Sequence, residues 1–287
     1  LSTLTQKRTA IKNWLKFGAI AVNGAVVTQF DYQLVPGDLV TIGTLQAAAA
    51  GGKLESARIQ LVHEDDDLLV VDKPSGLLTV ATDNDKTDTL FYRLNQYLRT
   101  RDPQRAVRPH VVHRLDEETS GLVLFAKSAV VKQHLQAAWS AVEKIYWAVV
   151  EGCPKQPQGT ITSHLVESAS YQVYSHAQPT KDSQSATTHY RVLQTRDGLS
   201  LLEVRLKTGR KHQIRVQLAT HLGCPVAGDR RYGAKSDPCR RLALHARQIA
   251  LSHPTTRELC VWVSPLTRPL ARLFPDSKSF TTGKTGR

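Results

Sequence analysis

Asp116 is the residue of this chain best placed to do chemistry. It lies in HRLDEETSG, His113 to Gly121, two residues after Arg114 and just ahead of a Thr-Ser-Gly turn. A lone carboxylate amid arginines suits covalent or electrostatic work on a sugar carbon, where a single Asp can act as nucleophile. An Asp that only caps its own turn through Thr119 and Ser120 is the competing reading. Other chemistries find no support. Neither a G-x-x-x-x-G-K-S/T loop nor a dinucleotide G-x-G-x-x-G is present, and Ser120 lacks the G-x-S-x-G context of a nucleophile elbow. His110 and His113 stand three apart with no third ligand, and the acidic run Glu64 to Asp67 reads as a surface turn. Cys153, Cys224, Cys239 and Cys260 contain no C-x-x-C pair, which predicts reduced thiols and a cytoplasmic protein. No metal and no cofactor are expected.

A reactive side chain needs a scaffold to present it. The apolar run Leu122 to Ser128 predicts a buried strand with Asp116 on a loop at its mouth, where a large substrate can reach it. EKIYWAVVEG predicts a strand carrying Tyr146 and Trp147; taken alone, Tyr146 is as readily a core residue with a tethered hydroxyl. After the strands THYRVL and SLLEVRL the pattern breaks at Thr208-Gly209. Arg210 then opens a predicted helix with Ile214, Leu218 and Leu222 on its apolar stripe, ended by Gly223 and Pro225, and with Arg210, Lys211, His212 and Arg215 on an exposed face. A cation held at a helix N-terminus, against the dipole, points to an anion nearby. Further helices are predicted at 86–101 and 129–139, and strands in RLALHARQIAL and ELCVWVSP. The stretch from Pro154 to Ala186 is polar and turn-rich and reads as irregular, either a binding loop or a disordered segment. Many strands with few helices between them predict an α+β fold with a largely antiparallel sheet.

Three parts are predicted: a small module at 1–43, a linker at 44–57 and a main domain at 58–287. In the first, Ile11, Trp14 and Leu15 share one helix face while Lys7, Arg8, Lys12 and Lys16 share the other. Asn23-Gly24 and Pro36-Gly37-Asp38 are tight turns between small strands. With 38 Lys and Arg against 25 Asp and Glu, the formal charge of +13 favours a polyanionic partner. No run reaches the ~18 apolar residues that a membrane helix needs. No secretory signal opens the chain, and the lack of methionine predicts a processed or truncated start.

Residues 4–43, through IKNWLKFGAIAVNG and LVPGDLVTI, resemble the small RNA-binding fold called S-four-like. HRLDEETSGLVLFAKS, KPSGLL, EKIYWAVVEG, KTGRKHQIRVQLATHLGCPVAGDRRYG and RLALHA, in that order, resemble the RluA-type pseudouridine synthases over residues 58–275. The second resemblance implies a mixed, largely antiparallel catalytic sheet and a reaction on uridine in RNA. It implies that Asp116 attacks the ribose or starts a glycal route, and that Arg114 fills the space left by a flipped uridine. Tyr146 then stacks on the uracil and serves in removing the C5 proton, with Arg210 as the cation beside Asp116. Ile214 and Leu244 wall the pocket, while Lys211 and Arg215 add RNA contacts. The first resemblance puts Lys7, Arg8, Lys12 and Lys16 on RNA phosphates and favours ribosomal over transfer RNA. A monomer is expected. Glu117 and Glu118 depart from the family pattern by adding negative charge beside Asp116.

Two other functions compete. A non-catalytic RNA-binding factor has no chemical need for Asp116, Arg114, Tyr146 and Arg210 together. A glycoside hydrolase using Asp116 with Glu117 or Glu118 requires carboxylates ~5 to 9 Å apart on opposite faces of a sugar, which neighbours on one loop seldom achieve.

Overall fold

Apolar runs separated by turns, with few helical stretches between them, pair with one another into sheets. The computed structural model describes residues 58–81, 89–101 and 107–279, with Ile11, Leu15, Leu54 and the stretches 20–22, 25–27, 29–35 and 40–42. Near the start, β1 (Ile20–Val22), β2 (Ala25–Val26) and β3 (Val40–Ile42) form a three-stranded antiparallel sheet. Its register pairs Val22 with Ala25, which leaves a two-residue connection. Leu15, Ile20, Val22 and Val27 are its buried core. Trp14, the four basic residues Lys7, Arg8, Lys12 and Lys16, and both turn motifs lie outside the described residues. So does most of the predicted linker, but Leu54 within it is buried among Ile59, Leu69 and Leu90, and its carbonyl accepts from the Ile59 amide.

The main sheet has eleven strands among the described residues. Its first half holds β4 (Gln60–Glu64), β5 (Leu68–Lys73), β6 (His110–Val111) and β7 (Ser120–Ala126). Its second holds β8 (Glu143–Glu151), β9 (Gln158–Glu167), β10 (Val173–His176), β11 (Gln184–Arg196), β12 (Leu199–Leu206), β13 (Leu244–Ser252) and β14 (Leu259–Val263). The order across the sheet is β10-β9-β11-β12-β8-β13-β7-β5-β4, with β14 beside β13 and β6 beside β7. Every named pairing is antiparallel except β13 with β7, which meet in parallel through two residue pairs, His245 with Ser120 and Ala246 with Gly121. The sheet is therefore mixed and largely antiparallel, as its strand-rich sequence predicts.

Helix α1 (Leu90–Arg101) buries Leu90, Leu94, Tyr97 and Leu98, three of them the leucines spaced four apart. Helix α2 (Ala129–Ala137) is capped by the Ser128 hydroxyl, which accepts from the Val131 amide. Helix α3 (Gln213–Leu222) packs Ile214 and Leu218 into the same core as Trp147 and Leu244, and α4 (Arg268–Leu273) follows the last strand.

Two expectations need correction. The stretch 154–186 is not irregular: it holds β9, β10 and the start of β11. It reads as loop in part because Ser163, an inward position of β9, stands in place of an aliphatic residue. Ser163 and Thr188 are fully buried and both bond Gln217 of α3, at 2.8 and 2.6 Å. Buried hydroxyls are tolerated when so paired, and the hydrophobic alternation that marks a strand is thereby blurred. Secondly, α3 starts at Gln213 and not at Arg210. The Gln213 side chain folds back to accept from the Arg210 amide and the Thr208 hydroxyl, at 3.0 and 2.8 Å. His212 precedes the helix in the left-handed region, so three residues predicted as helix form a turn.

Candidate active site

Asp116 stands on the loop between β6 and β7, and that loop is held by its backbone. The turn from Lys73 to Thr79, which contains KPSGLL, grips it at three residues. Lys73 Nζ and the Gly76 amide both donate to the Glu117 carbonyl, at 2.9 Å each. Ser75 Oγ donates to the Glu118 carbonyl at 2.6 Å, and Thr79 Oγ1 bonds both the carbonyl and the amide of Leu115. Lys73 is fully buried, and its remaining bonds go to the carbonyls of Pro74 and Leu77. Burial first, then the Arg241 charge, pulls its pKa down to about 7, while Asp116 and Glu117 oppose. The Thr119 amide closes the loop onto the Asp116 carbonyl at 3.1 Å. The Asp116 side chain is left free of its own turn and points into a cleft.

That cleft has about 440 Å³ of space, part of it open to solvent. Arg114, Asp116, Tyr146, Arg210, Ile214, Arg215 and Leu244 all line it, as do Thr119, His212 and Gln213. Tyr146 comes from β8 and Leu244 from the start of β13, the strand that joins the two halves of the sheet. Ile214 and Leu244 are buried, and Arg114 and Arg210 are exposed at the rim. Lys211 does not line the cleft. Its ammonium pairs with Glu167 and lies 5.0 Å from the centroid of the Tyr171 ring, on the β9–β10 hairpin.

The cation facing Asp116 is Arg215. Its Nη1 lies 3.3 Å from Asp116 Oδ2, whereas the Arg210 side chain reaches to the Ser185 carbonyl. Sequence reasoning set Arg215 on an exposed face; it is 5% exposed. Asp229, itself 1% exposed, holds it bidentately, Nε to Oδ2 at 2.6 Å and Nη2 to Oδ1 at 2.8 Å. Burial alone would lower the guanidinium pKa, but the bonds and charge of Asp229, then of Asp116, raise it. A fixed, permanently charged fork thus presents its free nitrogen to the carboxylate. Glu118 Oε2 lies 3.7 Å from Arg215 Nη2, so that departure from the family pattern touches the same cation.

Burial and the nearby Asp116 charge raise the Tyr146 phenol, so the side chain is a neutral aromatic surface between the two core clusters it touches. His212 Nε2 is 3.9 Å from Asp116 Oδ2. His113 lies outside the cleft: it accepts from the Leu124 amide at 3.0 Å and stacks on Trp139. Among the described residues no cluster of His, Cys, Asp and Glu could hold a metal. No described helix is long and apolar enough to cross a membrane. Asp229 and His212 were missed by sequence reasoning. His212 was visible beside Arg210, but nothing in GDRRYG marks Asp229 as the partner of an arginine fourteen residues earlier.

A carboxylate faced by a buttressed arginine, in a cleft with an aromatic wall and a basic rim, suits nucleophilic work on a ring-bearing, anionic ligand. Comparison with known proteins bears on that chemistry. The family model described as RNA pseudouridylate synthase matches residues 67–220. The chain is 34% identical over 271 residues to the uncharacterized RNA pseudouridine synthase YlyB of Bacillus subtilis, covering 93% of this chain and 88% of that one. It is 32% identical over 276 residues to the ribosomal large subunit pseudouridine synthase D of Pseudomonas aeruginosa, covering 90% and 84%. The solved structure of human RNA pseudouridylate synthase domain containing 4 has a similar fold, with a TM-score of 0.65 and 24% identity over 81% of this chain and 97% of that one.

Proposed function

Since the chain belongs to the RNA pseudouridylate synthase family, we propose that it isomerises specific uridines of structured ribosomal RNA, with Asp116 as the group that attacks the ribose. The observation carrying this is the Asp116–Arg215–Asp229 alignment at the cleft. Asp116 attacks C1′, the N1–C1′ bond breaks, and the freed uracil turns. C5 then bonds C1′, Asp116 leaves, the C5 proton departs and N1 ends protonated. No atom is gained or lost, and no redox partner is required.

The remaining roles follow from position. Extrusion of the uridine costs its stacking, and exposed Arg114 at the rim is the side chain that takes up the vacated space. The raised phenol of Tyr146 supports a stacking platform for uracil more than a resting-state base. Ile214 and Leu244 wall the base. Arg215 takes the part of the Asp116 partner, and Arg210 becomes a phosphate contact with Lys211 and, in the N-terminal module, Lys7, Arg8, Lys12 and Lys16. Ribosomal RNA is favoured because a relative of similar length is named for the large ribosomal subunit. Four free cysteines support a cytoplasmic setting, and a cleft complete within one chain supports a monomer.

The test is tritium release from C5-labelled uridine in ribosomal and transfer RNA transcripts, followed by carbodiimide mapping. The wild type is expected to release tritium from ribosomal RNA. Asp116→Asn is expected to bind RNA nearly as well and release none; wild-type-like release by that variant would remove Asp116 from the mechanism. Release from transfer RNA alone would reassign the substrate, and binding without release from either RNA would leave a binding factor.

A further inference from the structure

His212 is held in a backbone conformation that few residues adopt, and its ring lines the cleft with no role so far. Its φ of 53° lies in the left-handed region, where strain persists only when the surroundings impose it and is common at ligand-binding sites. The ring stands edge-on to Tyr232, and Nδ1 is 2.8 Å from the Tyr232 hydroxyl. The Asp116 carboxylate, 3.9 Å from Nε2, favours a hydrogen on that nitrogen, and the Tyr232 hydroxyl then donates to Nδ1. The imidazole hydrogen is thereby placed on Nε2. Burial first, then the charges of Arg215, Arg231 and Lys211, outweigh Asp116 and keep the ring neutral down to about 4.

The hydrogen on Nε2 faces Asp116 Oδ2 across 3.9 Å. That is too far for a hydrogen bond, and one oxygen about 2.8 Å from each atom fits between them with an angle of roughly 90° at that oxygen. One lone pair of Oδ2 meets Arg215 Nη1; the other is available. The intervening oxygen must accept from His212 and donate to Asp116, which a hydroxyl does and a carbonyl, ether or phosphate oxygen does not. We propose that His212 and Asp116 clamp the 2′-hydroxyl of the flipped uridine, and that His212 is the residue by which this site tells a ribonucleotide from a deoxyribonucleotide. The clamp rests on the reading of Asp116 as the group that meets the ribose: with Oδ2 on the 2′-hydroxyl, Oδ1 lies towards the neighbouring C1′.

The experiment uses a stem-loop RNA carrying the uridine mapped by carbodiimide, made with either ribose or 2′-deoxyribose at that nucleotide alone. Single-turnover pseudouridine formation is measured with wild type, His212→Phe, His212→Gln and Tyr232→Phe. The deoxy sugar also changes intrinsic reactivity, so the ribose-to-deoxyribose rate ratio is compared between proteins. The wild-type ratio is expected to exceed the His212→Phe ratio by roughly tenfold, the worth of one well-placed hydrogen bond. Gln, which still offers an N–H, should recover part of the ratio. Tyr232→Phe, which keeps His212 but releases its tautomer, should give an intermediate ratio. Equal ratios for wild type and His212→Phe would overturn the clamp while leaving the isomerase reading intact. A wild type inactive on the all-ribose stem-loop would overturn both.

Discussion

Arg215 acts on Asp116 only because Asp229 acts on Arg215. A surface arginine would offer a screened and mobile charge; this one is buried, forked onto a buried carboxylate, and left with one nitrogen free. Removing the anion isolates the cation: Asp229→Ala should destabilise the fold by ~3–5 kcal/mol. Asp229→Asn keeps an acceptor but loses the charge that aims the fork. We expect it to slow single-turnover isomerisation by about 100-fold, the usual consequence of a small misplacement at a reacting centre, with RNA affinity little changed in a filter-binding titration. Most of the cleft was legible in the sequence: Asp116, Arg114, Tyr146, Ile214 and Leu244 all line it. The error over Arg210 has a physical origin. The family resemblance put Arg210 beside Asp116 while spacing set Arg215 on an exposed face; spacing assigns a face only once the helix start is known, and the turn through His212 moved that start by three residues.

At the scale of elements, β7 is the one that cannot shift. Gly121 follows the catalytic loop with a φ of +111°, and a methyl added there would lie 2.3 Å from the Ala246 carbonyl oxygen on β13. Gly121→Ala should therefore cost about 2–4 kcal/mol through strain and overpacking, read as a lower urea midpoint, and should reduce activity with it. Below the same junction His245, fully buried, bonds Ser120 through Nδ1 and Ser264 through Nε2, and Ser264 in turn donates to Asp72. Burial, then the charges of Arg241 and Arg247, lowers its pKa from the ordinary 6.5 to about 3. Between those values the unfolded chain binds a proton that the folded one refuses, so stability falls as pH falls from 6.5 towards 3. The slope is about 1.4 kcal/mol per pH unit for this one group. Urea midpoints measured across that range should decline less steeply in His245→Asn. Strand β9 was hidden for a related reason: Ser163 is buried against Gln217, and a pattern built on apolarity does not register a polar residue that goes inside with a partner.

For the whole molecule, the proposed RNA contacts of the N-terminal module can be tested through the salt dependence of binding. Deleting residues 1–43 should weaken RNA binding and flatten its salt dependence, by about 0.7–0.9 in log–log slope for each phosphate that the module neutralises. An unchanged slope, by titration at several salt concentrations, would remove the module from RNA contact. The strand-rich main domain was legible because its apolar runs are short and turn-bounded, whereas the strand order was not, since it depends on which distant runs meet. That order also divides the site. The two halves of the main sheet are consecutive in sequence and part between α2 and β8. Asp116, Arg114 and the Lys73–Thr79 turn fall before the division; Tyr146, His212, Arg215, Asp229 and Leu244 fall after it. A chain severed at the exposed Ala141 would separate Asp116 from Arg215, His212 and Tyr146, so each fragment is expected to be chemically silent and turnover would report their reunion. The fold is in this respect a ready-made split enzyme.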